Sequence, residues 1–199
     1  MTGRDLTATL PPELIGRFFR GWTFQELRPT LGVCARWREI GLNHPIYWRS
    51  ITLKGPRYNS VLLSLLRVER TYGRPFSWTI DALTPPGTLR RIVSAVSAHL
   101  EQLVALEIRV QNVYAQTVFA ALRLPASQLT TFRLEFWASD ADPDATAPRL
   151  TSDLFAQCAP KLRKVGLCGV DLAERLPIFG VGRRLLLFPR LSGPKLDPD

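Results

Sequence analysis

Few side chains of this chain could act as nucleophiles, proton carriers or metal ligands. It has two histidines, His44 and His99, and three cysteines, Cys34, Cys158 and Cys168. A nucleophile needs an adjacent base, and neither histidine has a cysteine, serine or carboxylate at the spacing of such a motif. The odd number of widely spaced cysteines suggests neither a zinc site nor a disulfide framework.

Two short motifs also fall short of a site. Asp140, Asp142 and Asp144 alternate as in a calcium loop, but the glycine and the final glutamate of an EF-hand are missing. Gly180-Val181-Gly182 is too short to cradle a phosphate. We therefore expect no enzyme, no metal and no cofactor, and we expect the functional residues to lie on binding surfaces.

Composition keeps one further class of partner open. The 199 residues carry a formal net charge of +9, with 46% hydrophobic and 22% charged residues. This charge allows a basic nucleic-acid binder, although the arginines are scattered. The first nine residues lack the apolar core of a secretory signal, and no run approaches the roughly 20 apolar residues of a membrane span. The expected location is the cytoplasm, the nucleus or both, without membrane association.

Residues 10–53 predict a small helical module. Leu10-Pro11-Pro12-Glu13 is typical of a helix start, and an apolar face follows at Leu14, Ile15, Phe18 and Phe19. Thr23-x-x-Glu26 predicts a capping box. Pro29 leaves two alternatives, a separate turn over 23–28 or a main helix that begins at Pro29 itself.

Beyond Trp48 the sequence repeats a short apolar alternation. It occurs at Ile51-x-Leu53, Trp78-x-Ile80, Leu106-x-Ile108, Phe132-x-Leu134 and Val165-x-Leu167, at spacings of 27, 28, 26 and 33 residues. Helical patterns lie between these strands, at 59–72, 85–100, 113–124 and 150–158. Strand and helix alternating at this period predict an α/β fold, a degenerate leucine-rich-repeat solenoid with parallel strands and outer helices.

The predicted domains follow from these patterns. The helical module covers 8–50, the repeat domain 51–175, and a partly disordered tail 176–199. Within the tail, Leu185–Phe188 is either a sixth strand or a frayed segment over the end of the solenoid. Side chains that alternate with the buried strand positions are predicted to face the concave side and bind a target, namely Lys54, Asp81, Glu107, Arg109, Arg133 and Glu135.

The opening stretch resembles an F-box, in the form found at the N-terminus of many fungal proteins with leucine-rich repeats. The matching residues are Leu10-Pro11-x-Glu13-Leu14-Ile15, Leu27, Val33-Cys34-x-x-Trp37-Arg38 and Pro45-x-x-Trp48, leading into Ile51-x-Leu53. The resemblance implies docking on a Skp-type adaptor of a cullin ubiquitin ligase, through an apolar surface with Trp37 as anchor. The implied contacts are Leu10, Pro11, Leu14, Ile15, Leu31, Cys34 and Trp37.

The resemblance thus implies a substrate-recognition subunit that brings an unidentified target protein to the ligase. Two alternatives are a repeat-based scaffold without ligase function and the basic nucleic-acid binder. A purely structural alternative also exists for the module, because repeat proteins need a terminal cap and two apolar helices could serve as one.

Overall fold

The computed structural model describes residues 7, 9–55, 57–81, 86–138, 146–150, 152–172 and 184–188. Within these residues the chain forms seven α-helices and eight strands. It divides into two compact units, Met1–Ser50 and Ile51–Asp199. None of the helices in the described ranges is both long and apolar enough to cross a membrane.

The first unit is built from four short helices. They are α1 (Pro12–Phe18), α2 (Phe24–Thr30), α3 (Ala35–Asn43) and α4 (Pro45–Trp48). Its core consists of Ile15, Phe19, Leu27 and Tyr47, with partly buried aromatic and aliphatic side chains packed around them. Short helices of this kind depend on such packing, because isolated helices below about 12–15 residues are marginal in water.

The predicted capping box at the start of α2 is confirmed. The Thr23 amide donates to Glu26 Oε2 at 2.6 Å, and the Glu26 amide donates to Thr23 Oγ1 at 3.4 Å. The idea that a main helix begins at Pro29 is wrong, since Pro29 lies inside α2 and α3 begins only at Ala35. Pro29 is tolerated because α2 ends one residue later, so its missing amide costs a single helical hydrogen bond.

The second unit is α/β, with a six-stranded sheet. Its strands are β1 (Ser50–Lys54), β2 (Phe76–Asp81), β3 (Leu103–Gln111), β4 (Thr131–Trp137), β6 (Lys164–Cys168) and β8 (Arg184–Phe188), in the order β1-β2-β3-β4-β6-β8. The pairings from β2 to β8 are parallel. The segment Leu185–Phe188 therefore belongs to a sixth strand of the sheet, the first of the two alternatives for that part of the predicted tail.

Three helices connect the first strands of the sheet. They are α5 (Tyr58–Glu69), α6 (Pro86–His99) and α7 (Ala115–Ala121), close to the predicted helical runs, and neighbouring helices pack against each other. Strand residues such as Ile80 and Ile108 share one hydrophobic core with helix residues such as Ile92 and Val118. One face of the sheet is therefore covered by helices, and the alternate side chains lie on the other face.

The helix predicted over 150–158 is wrong. The chain forms a short strand, β5 (Arg149–Leu150), which pairs in parallel with β7 (Asp171–Leu172), and then a left-handed turn at Phe155, Ala156 and Gln157 with φ of 53°, 48° and 56°. Tertiary contacts hold this turn in place. Phe155 is fully buried, packs edge-on against Phe132 at 5.0 Å, and its amide donates to the Leu122 carbonyl at 2.6 Å.

Gly169 lets the turn after β6 approach β4. It has a φ of +63°, and a Cβ at this position would lie 2.1 Å from the Phe136 carbonyl oxygen. Any side chain there would push two backbones apart, whereas Gly73, with a φ of +78°, has open space around it.

We predict that Gly169→Ala lowers the free energy of unfolding by about 3 kcal/mol or more, because backbone strain and a steric clash add. Gly73→Ala has the backbone strain without the clash, so it should cost only about 1 kcal/mol. Urea denaturation followed by circular dichroism measures both. Equal losses for the two variants would contradict the close approach of Gly169 to Phe136.

Candidate functional site

Five charged side chains meet on the helix-free face of the sheet, and we call them the charged sheet face: Asp81, Glu107, Arg109, Arg133 and Glu135. The strand registers bring them together. Asp81 pairs with Arg109, which pairs with Glu135, while Glu107 pairs with Arg133. Because neighbouring strands in a sheet lie about 4.8 Å apart, side chains in register are within reach of one another.

These side chains form one connected network. Arg109 Nη1 lies 3.2 Å from Asp81 Oδ2, and Arg109 Nε lies 3.1 Å from Glu135 Oε2. Arg109 Nη2 also donates to Glu135 Oε1 at 3.3 Å, so the guanidinium holds both oxygens of this carboxylate. Arg133 joins the network at 3.6 Å from Glu107 and 3.7 Å from Glu135.

Glu135 is the centre of the network. Only 6% of its side chain is exposed, against 36% for Arg109 and 48% for Arg133. A carboxylate this deeply buried is costly unless charged donors satisfy it. The hydrogen bond to Glu135, with the nearby carboxylates of Asp81 and Glu107, raises the pKa of Arg109. The two arginines therefore compensate the burial of Glu135.

The charged sheet face is bordered by residues of β6 on one side and β1 on the other. Gly166 on β6 leaves room for Arg133, because a Cβ at Gly166 would lie 3.4 Å from Arg133 Cγ. Lys54 was also predicted here, and it lies exposed on β1. Within the described residues Lys54 makes no ion pair with the network, whereas the other five predicted residues are all part of it.

The first unit presents a different surface, which runs along α1. Ile15 and Phe19 are fully buried, while Leu14 is 40% and Phe18 is 55% exposed. The single apolar face predicted for this helix is therefore wrong, because the two pairs point in different directions. Leu14 and Phe18 are four residues apart and share the outer face of α1, and the exposed N-cap residue Pro11 lies just before the helix. We call these three residues the α1 apolar row.

The predicted adaptor contacts separate into exposed and buried groups. Pro11 and Leu14 are exposed, and Leu10, Leu31, Cys34 and Trp37 are partly buried. Ile15 is fully buried in the core, so it cannot contact a partner in this conformation. Phe18 was not among the predicted contacts. Its signal was the spacing of four residues from Leu14, which places Phe18 on the same side of α1 as a predicted contact.

Trp37 and its neighbour hold the N-terminal segment. Trp37 Nε1 donates to Thr7 Oγ1 at 2.9 Å, and Arg36 Nη1 donates to the Thr7 carbonyl at 2.8 Å. A second Arg36 donor bonds the Leu10 carbonyl. The indole also packs edge-on against Phe19, with ring centroids 5.8 Å apart. Trp37 therefore takes part in the fold of its own unit, and its role as a surface anchor stays a prediction.

Each of the two histidines has a structural contact in the described part of the chain. His44 caps α4 through Nδ1, which accepts from the Ile46 amide at 3.4 Å, whereas His99 lies at the end of α6 beside Gln102. Among the described residues no three His, Cys, Asp or Glu side chains form a group that could hold a metal ion. The acidic stretch at 140–144 and Gly180-Val181-Gly182 lie outside the described residues.

Comparisons with known proteins leave the family of this chain open. No model of a known protein family matches it, and no curated protein matches it either.

We predict that Arg109→Met lowers the free energy of unfolding by about 2 kcal/mol, because it leaves the buried Glu135 carboxylate with only the more distant Arg133. Arg123→Met is the matched control. It breaks the Arg123–Asp153 pair at 2.7 Å, but these side chains are 56% and 47% exposed. An exposed pair contributes below about 1 kcal/mol. Urea denaturation compares the two variants.

The double variant Arg109→Met, Glu135→Gln tests whether burial of the charge causes the loss. Removing the unpaired carboxylate should restore part of the stability, so the effects of the two substitutions should not add. Additive losses, or an equal cost for Arg123→Met, would contradict a central role for Glu135.

We also predict that the first unit loses stability as pH falls from 7.5 to 5. Burial lowers the pKa of His44 below its ordinary value of 6.5. The unfolded chain therefore takes up a proton at a higher pH than the folded chain, and acidification through this window favours unfolding. Hydrogen exchange of the α3 amides, corrected for intrinsic rates, measures the effect.

His44→Asn is the control for this pH dependence. Asparagine keeps an oxygen that can cap α4 but does not titrate. The variant should lose the slope between pH 7.5 and 5, whatever its absolute stability. Measurements stay above pH 5 because Glu26, whose pKa is held below 4.5 by hydrogen bonds from Thr23, titrates only under more acidic conditions. An unchanged slope in the variant would rule out His44 as its origin.

Proposed function

We propose that this chain is the substrate-recognition subunit of a cullin-type ubiquitin ligase. In this proposal the first unit is an F-box-like module that docks a Skp-type adaptor. The second unit is a degenerate leucine-rich-repeat domain that binds a target protein through the charged sheet face. The protein acts by binding, without a cofactor or catalytic residues of its own, in the cytoplasm, the nucleus or both.

The observation that carries the proposal is the α1 apolar row. Its Leu14 and Phe18 stay 40% and 55% exposed although the opposite side of the same helix already fills the core. Scattered exposed apolar residues are normal, but an apolar row at helical spacing is the pattern by which helices dock on a partner. The row lies within the segment whose residue order resembles an F-box.

The repeat assignment is supported by the spacing of equivalent residues. Trp78 pairs with Leu106, Leu106 with Phe132, and Phe132 with Val165, all in parallel strands. These are the first residues of four of the five predicted alternations. Each of the first three steps along the sheet adds a strand and a helix, which is the unit that a leucine-rich repeat would supply.

A scaffold without ligase function is the second candidate, because the charged sheet face would serve either role. That face does not suit a nucleic acid. Its two guanidinium groups are already paired with its three carboxylates, so they are not open to bind phosphate. A mixed-charge surface of this kind favours a protein partner with complementary charges.

The proposal predicts that the purified chain binds a purified Skp-type adaptor and that Leu14→Ala, Phe18→Ala weakens binding at least about tenfold. Truncating two exposed apolar anchors of an interface costs about 1–2 kcal/mol each, while the fold should keep its stability because both side chains are largely outside the core. Isothermal titration calorimetry gives the affinities. Leu66→Ala on α5, which is 51% exposed in the wild type, is the matched control and should bind normally.

Two outcomes would count against different parts of the proposal. If the wild-type chain does not bind any Skp-type adaptor, the ligase function is wrong and the scaffold remains. If the wild type binds but the Leu14, Phe18 variant binds equally well, the adaptor contacts another surface. Trp37→Ala is a poor probe here, because it would remove the bond to Thr7 and the packing on Phe19 as well.

A further inference from the structure

The helical layer of the second unit contains a groove that the proposed function does not use. It lies between α5 and α6 and has a volume of about 480 Å³. Pockets of this size, between roughly 300 and 1,000 Å³, are those in which proteins bind ligands. Leu65 and Val68 of α5 and Ala95 and Ala98 of α6 form its apolar lining.

The charged residues of the groove are sorted along its length. Arg90 and Arg91 line it near the start of α6, where Arg91 Nη1 donates to the Tyr58 hydroxyl at the start of α5 at 3.4 Å. Glu69 lines it near the end of α5, together with Ala98 and His99 at the end of α6. The groove is therefore positive at one end and negative at the other, with an apolar middle.

The length of the groove sets the spacing that a partner must match. Arg91 and Ala98 are seven residues apart on α6, which corresponds to about 10 Å along a helix. A partner helix would span the same distance with seven residues, or two turns. It would need an acidic residue opposite the arginines, apolar residues over the middle and a basic residue opposite Glu69. Acidic residues are also most favourable in the first turn of a helix and basic ones in the last.

We propose that this groove is a second protein-binding site, which takes an amphipathic helix from a partner protein. The helix carries an acidic residue in its first turn and a basic residue seven positions later, with apolar side chains between them. Its first turn lies at Arg90 and Arg91, and its basic residue lies at Glu69. Helix docking into an apolar groove supplies the affinity, and the two charged ends fix the direction.

Two synthetic helical peptides test the proposal on the full chain. One has glutamate in the first turn and lysine seven residues later, and the other has the same composition with these two residues exchanged. Fluorescence anisotropy measures both affinities. We expect the first peptide to bind about fivefold tighter or more, since exchange turns two attractive contacts into repulsive ones.

Charge variants of the chain identify the groove as the site. The triple variant Arg90→Glu, Arg91→Glu, Glu69→Arg changes three exposed side chains, exchanges the charges of the two ends and should reverse the preference between the peptides. Arg163→Glu, an exposed arginine just before β6 that does not line the groove, should leave the preference unchanged. Ala98→Arg places a long side chain in the groove from an exposed position, so it should weaken the binding of both peptides.

The alternatives give different results. Equal affinity of the wild type for both peptides, or a preference that survives the exchange of groove charges, would overturn the proposal. A dimer of the chain in sedimentation velocity that Ala98→Arg dissociates would assign the groove to a second copy and would also overturn it. Thermal unfolding by circular dichroism confirms that each variant is folded, as the exposure of Arg90, Glu69 and Ala98 leads us to expect.

Discussion

The register of the parallel strands is the constraint on which the second unit depends. Side chains alternate between the two faces of a strand, so a shift of one residue exchanges the faces completely. In the observed register Ile80, Ile108, Leu134 and Leu167 lie in one row that packs under the helices. The same register places Asp81, Arg109 and Glu135 in a row on the other face. A slip would bury charges and expose the core, so hydrophobic burial and ion pairing favour one alignment together.

The first unit has more apolar side chains than its core buries. Ile15 of α1 and Phe19, which follows its last residue, are fully buried. Leu14 and Phe18 remain 40% and 55% exposed. The capping box at Thr23 and the bonds of Arg36 and Trp37 to the N-terminal segment fix the helices that form this core. The α1 apolar row is thus exposed in a unit whose core is formed without it.

Alternation and spacing allowed the strands of the sheet to be predicted, because each strand is buried on one face and repeats its neighbour's pattern. The same rule predicted that Asp81, Arg109 and Glu135 share a face, but it did not predict the ion pairs between them. The turn at Phe155 could not be predicted, since a left-handed backbone at three consecutive non-glycine residues is set by contacts with Phe132 and Leu122, far away in sequence. The pairing of β5 with β7 depends on only two residues in each strand, too few for a periodic signal. Exposure of Phe18 was missed because the apolar pattern of α1 was assigned to one face.

The charged sheet face also shows why the residues predicted to bind a target cannot all do so in the same way. Glu135 has 6% of its side chain exposed and is held by two arginines, so its role is to position them. Asp81 and Glu107, at 34% and 31% exposed, and Arg133, at 48%, form the accessible rim. A partner must compete with ion pairs that already exist, so charge alone gains it little affinity. It can gain affinity where its own groups replace the solvent around this rim while the pairs to Glu135 stay intact. The buried carboxylate thus holds both arginines in place, and in the proposed function selection of a partner falls to the outer charges.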